Sequence, residues 1–191
     1  MSGQQQGSGI LRITAGLHKG RRLVVPAGVR PSSGMVREAL FSAWRERLPG
    51  AHLLDLFAGS GAISLEAVSR GAVRAVAVEA EAKILRQLRA NLEAVGADGI
   101  EIIAARLPAE LDRLERLGRE PYDLIFADPP YDFEPYEDLL RQAQSWLAPE
   151  GELVLEHSTR VAVPERVGDL VRVRERRYGE SSLSAFRVER P

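Results

Sequence analysis

The sequence predicts an α/β protein: a doubly wound, mostly parallel sheet of seven strands with helices on both faces, ending in an antiparallel hairpin. Three observations predict it. Five short apolar runs alternate with segments whose apolar residues recur at helical spacing. The connections between them are short, and several helical patterns end in Gly. The last two strand-like runs have no helix between them, so they must pair antiparallel at the end of the sheet.

Taken in order, residues 1–9, MSGQQQGSG, are small and polar and read as a disordered tail. Residues 10–31 are a hairpin extension. Ile10–Gly16 and Arg21–Pro26 are its strands, joined by Leu17-His18-Lys19-Gly20. Residues 32–191 form the main domain, which opens with a helix. Ser32 or Ser33 can cap it, and Val36, Leu40, Phe41 and Trp44 recur along one face until about Pro49-Gly50. Strands are expected at His52–Phe57, Val73–Val78, Ile100–Ala104, Tyr122–Ala127 and Glu152–Glu156. Helices are expected at Ala62–Ser69, Ala82–Val95, Pro108–Leu117 and Tyr136–Leu147. Leu170–Arg177 and Leu183–Val188 form the closing hairpin around Tyr178-Gly179-Glu180-Ser181-Ser182.

Composition narrows the chemistry. A chain of 191 residues with 45% hydrophobic and 28% charged residues suits one domain with a substantial core. There is no cysteine, which excludes disulfides and thiolate-ligated metals and suits a cytoplasmic enzyme. His18, His52 and His157 lie far apart, so no metal site is expected. No apolar run approaches the roughly 20 residues that span a bilayer. A net charge of −1 gives no overall pull on nucleic acid. Cations cluster locally, however, at Lys19, Arg21 and Arg22 and again at Arg172, Arg174, Arg176 and Arg177. The second cluster partly alternates along a strand and reads as an exposed face.

The first core strand runs into Asp55-Leu56-Phe57-Ala58-Gly59-Ser60-Gly61-Ala62. Glycines where a strand becomes a helix let a ligand approach the backbone closely. The second strand ends in Glu79, 20 residues beyond Gly59, the spacing at which an acid reaches a ribose diol. A dinucleotide site would need a third glycine where Ser64 stands. The pattern Asp-x-Phe-x-Gly-x-Gly instead resembles the S-adenosylmethionine turn of Rossmann-like methyltransferases. A plain strand–helix turn, with Glu79 merely solvated, is the alternative.

Strand four ends in Asp128-Pro129-Pro130-Tyr131. Its carboxyl end should share one crevice with the glycine turn. Two prolines fix the local backbone. An exocyclic amine of a base is a poor nucleophile because its lone pair is delocalised. A carboxylate and a carbonyl holding both N–H groups would aim that lone pair and stabilise the developing charge. Asp128 and the Pro129 carbonyl can be that pair, with Tyr131 stacking on the base for about 1–3 kcal/mol. A base inside a helix would have to flip out to reach it. The alternative is a proline-rich turn with Asp128 capping the next helix.

With these residues in view, the chain resembles the bacterial 16S ribosomal RNA guanine-N2 methyltransferases that modify guanine 966, and it does so over nearly its whole length. The resemblance runs from Arg12-Ile13-Thr14-Ala15-Gly16 and Gly20-Arg21-Arg22-Leu23 to Arg30-Pro31-Ser32-Ser33 and Val36-Arg37-Glu38-Ala39-Leu40-Phe41. It continues through Asp55 to Gly61 and Leu65-Glu66-Ala67, then Asp128 to Tyr131 and Tyr178-Gly179. It implies a class I methyltransferase domain using S-adenosylmethionine. Asp128, Pro129, Pro130 and Tyr131 would be catalytic. Asp55, Phe57, Ala58, Gly59, Ser60 and Gly61 would hold the cofactor, together with Glu79, Ala80, Arg106, Leu107 and Asp128. Lys19, Arg21, Arg22, Arg30 and Arg37 would meet RNA. The implied partner is 16S ribosomal RNA within an assembling 30S subunit, met by a monomer. Two departures stand out. Gly34-Met35 replaces the family's acid and base, and Arg106 stands where an acid would hold the adenine amine.

Two other functions fit the same residues. One is N6-adenine methylation of DNA or RNA, since D-P-P-Y serves adenine amines equally well. The other is a non-catalytic RNA-binding assembly factor that keeps the fold.

Overall fold

Leu53, Leu54 and Leu56 are wholly buried, as are Val76, Val78, Leu124 and Ile125, which is what strands covered by helices on both faces require. The computed structural model describes residues 9–29, 33–110 and 121–189. In chain order the elements are β1 (Gly9–Arg12), β2 (Arg22–Val25), α1 (Gly34–Ala43), β3 (His52–Leu56), α2 (Ala62–Ser69), β4 (Arg74–Glu79) and α3 (Ala82–Val95). Then follow β5 (Ile100–Ala104), β6 (Tyr122–Ala127), α4 (Tyr136–Gln144), β7 (Leu147–Ser158), β8 (Arg166–Val167), β9 (Leu170–Tyr178) and β10 (Ser181–Val188).

The large sheet has eight strands in the order β5-β4-β3-β6-β7-β10-β9-β8. The five strands β3 to β7 are mutually parallel, and β10 enters antiparallel between β7 and β9. Strand order reverses between β3 and β6, whose register pairs Asp55 with Phe126 and Leu56 with Ala127. That reversal opens a crevice at the strands' carboxyl ends. Alternate residues serve opposite faces. Leu54, Leu56, Ile125 and Leu155 pack with Tyr136, Leu139 and Leu140 of α4. Leu53, Leu124, Phe126 and Val154 pack with Val36, Leu40 and Phe41 of α1 and with Ile63 of α2.

Several expectations need correction. The sheet has an eighth strand, because the two residues of β8 pair with Val171 and Leu170. Helix α1 ends at Ala43, and the chain reaches Pro49 through turns. Helix α4 ends at Gln144. Leu147 belongs instead to β7, which pairs with Tyr122 and starts five residues earlier than expected. Gly9 is in β1, opposite Val25, and not in a tail. Ser33 is the cap of α1, its Oγ accepting from the Val36 amide at 3.2 Å. Arg30, Pro31 and Ser32 lie outside the described residues, as do residues 1–8 and 111–117 of the helix expected at Pro108–Leu117; residues 108–110 form a turn.

The β1–β2 hairpin joins no strand of the large sheet. Ile13 and Leu23 instead bury themselves against Ala62, Leu65 and Val95. Polar side chains complete the attachment. Glu66 of α2 accepts from Thr14 Oγ1 at 2.6 Å and from the Thr14 and Ala15 amides at 2.9 and 3.1 Å. Ser69 Oγ donates to the Ala15 carbonyl at 2.6 Å and accepts from the His18 amide at 2.9 Å. Gly16, at φ 80°, lies so close to α2 that a Cβ there would sit 1.7 Å from the Ser69 carbonyl oxygen.

Candidate active site

The turn after β3 is shaped by three left-handed residues, Phe57 at φ 64°, Gly59 at 55° and Gly61 at 79°. For a phenylalanine this conformation costs about 1–2 kcal/mol. Packing holds it there, with the Phe57 ring edge-on to Phe133 at 5.4 Å. Gly61 is required for a different reason: a Cβ would meet Leu88 Cδ1 of α3 at 2.3 Å.

Asp55 is fully buried and braces the turn from below. Its Oδ2 accepts from Ser64 Oγ at 2.6 Å and from the Ser64 amide at 3.1 Å. Burial pushes its carboxyl up to about 7, although the Ser64 hydrogen bonds pull the other way. Ser64 occupies the place of a dinucleotide site's third glycine, so that substitution has a use.

Glu79 ends β4 beside the turn. Its Oε2 accepts from the Gly59 amide at 3.1 Å, and its Oε1 from the amides of Ala80 at 2.7 Å and Glu81 at 3.1 Å. A carboxylate has about four acceptor positions, so capacity remains for a ligand hydroxyl. Asn91 of α3, buried, donates to the Ser60 carbonyl at 2.8 Å and to the Val24 carbonyl at 2.9 Å, and it accepts from the Val24 amide at 3.0 Å. The glycine turn and β2 are therefore held by one side chain.

Asp128 lies across the crevice, its amide donating to the Leu56 carbonyl at 3.4 Å. The D-P-P-Y turn closes when the Phe133 amide donates to the Pro130 carbonyl at 2.9 Å. Phe133 stands edge-on to Tyr136 at 5.2 Å, and Tyr136 is close enough to Asp128 that the carboxylate adds to burial in raising the phenol's pKa. Tyr131 is 60% exposed. Its hydroxyl lies 3.3 Å from Ser158 Oγ, at the mouth of the crevice.

These parts surround one cavity of about 380 Å³, within the usual range of roughly 300–1,000 Å³ for small-molecule sites. Asp55, Phe57, Ala58, Gly59, Ser60, Glu79, Asp128, Pro129, Pro130 and Tyr131 all line it. Gly61, Ala80, Arg106 and Leu107 are not in its wall. Arg106 is exposed and pairs with Glu81 at 3.6 Å, and Glu81 itself lines the cavity.

Sequence reasoning passed over part of the wall: Val29, Ile84, Glu156, Ser158 and Ser181. Glu156 to Ser158 end β7, the strand beside β6, and that neighbourhood was the available signal. His157 lines the cavity but is structural in character. Its Nδ1 donates to the Ser158 carbonyl at 3.0 Å and its Nε2 accepts from Ser184 Oγ at 2.9 Å, while burial lowers its pKa.

The candidate RNA contacts divide. Lys19, Arg21 and Arg22 are exposed on the hairpin and form no ion pair among the described residues. Arg37 is buried in the cavity wall. The second basic cluster, expected to be an exposed face and not an RNA contact, has Arg172, Arg174 and Arg177 paired with Glu165, Glu175 or Glu152.

Residues 11–187 match the protein family described as Conserved hypothetical protein 95. The chain is similar to ribosomal RNA small subunit methyltransferase D of Escherichia coli K12, at 32% identity over 96% of this chain and 92% of that protein. Among solved structures it is similar to a hypothetical protein from Thermus thermophilus, at 34% identity and a TM-score of 0.81, covering 93% of this chain and 99% of that one. A precorrin-6y C5,15-methyltransferase from Geobacter metallireducens, 21% identical, shares the fold at a TM-score of 0.60 over 83% of this chain and 90% of that one. The architecture is the Rossmann-like methyltransferase fold.

Proposed function

The chain belongs to the family described as Conserved hypothetical protein 95, that of the ribosomal RNA small subunit methyltransferase D proteins, and on that premise we propose that it methylates the exocyclic N2 of a guanine in 16S ribosomal RNA, guanine 966, using S-adenosylmethionine. It would act in the cytoplasm, as a monomer, on an assembling small subunit. The observation that carries the reading is the shared cavity: Asp128, Pro129 and Tyr131 line the same space as Gly59 and Glu79. A nucleoside-bearing donor and an amine acceptor are thereby offered one meeting point.

The residues present fit the cofactor. Glu79 retains acceptor capacity for a ribose hydroxyl, and Phe57, Ile84 and Phe126 give the wall an apolar surface for a nucleoside. When bound, S-adenosylmethionine supplies an electrophilic sulfonium methyl. The chain's part is to hold and aim the amine. Asp128 and the Pro129 carbonyl accept its two N–H groups and orient the nitrogen lone pair for in-line displacement. During transfer of the methyl from sulfur to nitrogen, the Asp128 carboxylate would stabilise the charge growing on nitrogen and take the released proton. Tyr131 at the mouth stacks on the flipped base. Lys19, Arg21 and Arg22 bind flanking phosphates.

The test uses labelled S-adenosylmethionine and the purified protein. Small subunits from cells lacking their own enzyme, deproteinised 16S RNA and duplex DNA are offered separately, then digested to nucleosides. The reading expects label in N2-methylguanosine from the subunits, lost in Asp128→Ala. Label in N6-methyladenine would overturn the guanine assignment. Cofactor binding without transfer to any substrate would overturn the RNA target.

A further inference from the structure

The cavity wall contains a cation with no part in the steps above. Arg37 of α1 is 7% exposed and lines the cavity. Among the described residues its Nε and Nη1 have no hydrogen-bond partner. Burial lowers its pKa; the nearby Glu66 carboxylate opposes that and Arg70 reinforces it. Glu66 is already committed to Thr14, Ala15 and Arg70, the last at 2.8 Å. A buried guanidinium with open donors is unfavourable alone. It becomes favourable when a carboxylate or phosphate accepts from it.

We infer that Arg37 binds the carboxylate at the aminoacyl end of the methyl donor, an inference that rests on the methyltransferase reading. Position decides between the two sources of an oxyanion. Ala62 and Ile63 line the cavity at the start of α2, and Glu66, which acts on Arg37, lies one helical turn further on. The guanidinium therefore sits beside the inner end of the glycine turn. When a base flips, its backbone stays at the mouth, where Tyr131 is exposed. A small free ligand can carry its carboxylate to the depth of Arg37; a polymer's phosphates stay outside.

Calorimetry on the full chain tests this with two ligands. S-adenosylhomocysteine carries the aminoacyl group, and 5′-methylthioadenosine shares its nucleoside and thioether without it. Arg37→Met is expected to weaken S-adenosylhomocysteine by about 10- to 100-fold, the worth of a charge-assisted contact. It should leave methylthioadenosine within about 2-fold, because that ligand has nothing for Arg37 to hold. Arg37→Lys should fall between, keeping charge without the fork. The ligand-free melting midpoint of Arg37→Met should be unchanged or raised, since a buried charge with open donors is removed while Glu66 keeps its other partners. A purely structural arginine would lower it. Equal weakening of both ligands would overturn the inference. So would reduced affinity for deproteinised 16S RNA with S-adenosylhomocysteine binding intact, which would assign Arg37 to a phosphate. If the wild-type protein bound neither nucleoside ligand, the methyltransferase reading itself would fall first and the inference with it.

Discussion

The Gly59 amide donates to Oε2 of Glu79 at 3.1 Å, so the glycine turn and the acid 20 residues beyond it form one hydrogen-bonded unit. The sequence spacing that suggests a ribose contact is thus also a structural bond. Glu79→Gln keeps the shape but turns an acceptor into a donor facing a backbone amide. S-adenosylhomocysteine affinity is expected to fall by about 10-fold or more, and the melting midpoint by about 2–10 °C, for a loss of roughly 1–3 kcal/mol. Calorimetry and thermal melts check both.

Asp128→Asn replaces an acceptor with an amide that can present N–H groups to the substrate amine. Methyl transfer should slow by about 100- to 1,000-fold, the usual effect of losing one group that stabilises transition-state charge. Cofactor affinity should change far less. Single-turnover incorporation of label, with calorimetry on the same preparation, separates the two.

Asn91→Leu removes four hydrogen bonds at once, to both backbone groups of Val24, to the Ser60 carbonyl and from the Gln87 side chain. A destabilisation of about 2–3 kcal/mol is expected, read as a lower urea midpoint at unchanged slope. S-adenosylhomocysteine should bind more weakly too, because Ser60 lies in the glycine turn proposed to hold the cofactor. Wild-type cofactor affinity in the variant would refute the coupling.

Asp55 sets a pH dependence with a definite sign. Its folded pKa of about 7 stands above the ordinary 3.8. Below about pH 4 the carboxyl is protonated in both states and carries no penalty. Between about pH 4 and 7 the folded protein keeps a proton that the unfolded chain releases, so stability falls as pH rises, by about 4 kcal/mol in total from this group. Asp55→Asn should flatten that slope and narrow its stability deficit as pH rises from 5 to 8, as melts at the two pH values will show.

Replacing Lys19, Arg21 and Arg22 with Ala should weaken RNA binding and lessen its salt dependence. The slope of log K against log salt should fall by about 0.7–0.9 for each phosphate that is no longer neutralised. Binding of S-adenosylhomocysteine should be unaffected. Filter binding across a salt series is the measurement.

Local signals gave α2, α3, β5 and β6 their true ends, because Gly, Pro and period shifts punctuate them. The start of β7 was hidden by Pro149 and Gly151, which read as a turn; only pairing of Leu147 with Tyr122 extends the strand. β8, with two residues, has no periodicity to detect. In the site, Asp55, Gly59, Glu79 and Asp128 were legible as motifs. Glu156 and Ser181 were not, since β7 and β10 bring them in through sheet order. Arg37, expected to meet RNA, lines the cavity from α1. Its burial there has no signature in the helical pattern, where a charge normally faces water.

The β1–β2 hairpin looks like a detachable appendage in chain order, yet its anchors tell otherwise. Excising it would uncover Leu65 and Val95 and leave Glu66 and Asn91 buried beside absent partners. A boundary drawn at residue 31 marks a change of topology and not a line of weakness, so the described residues should melt as one cooperative unit. The same anchorage makes the extension a lever. Load applied at its basic tip by a bound nucleic acid is carried through Val24 and Asn91 to the backbone of Ser60, where the methyl donor would lie.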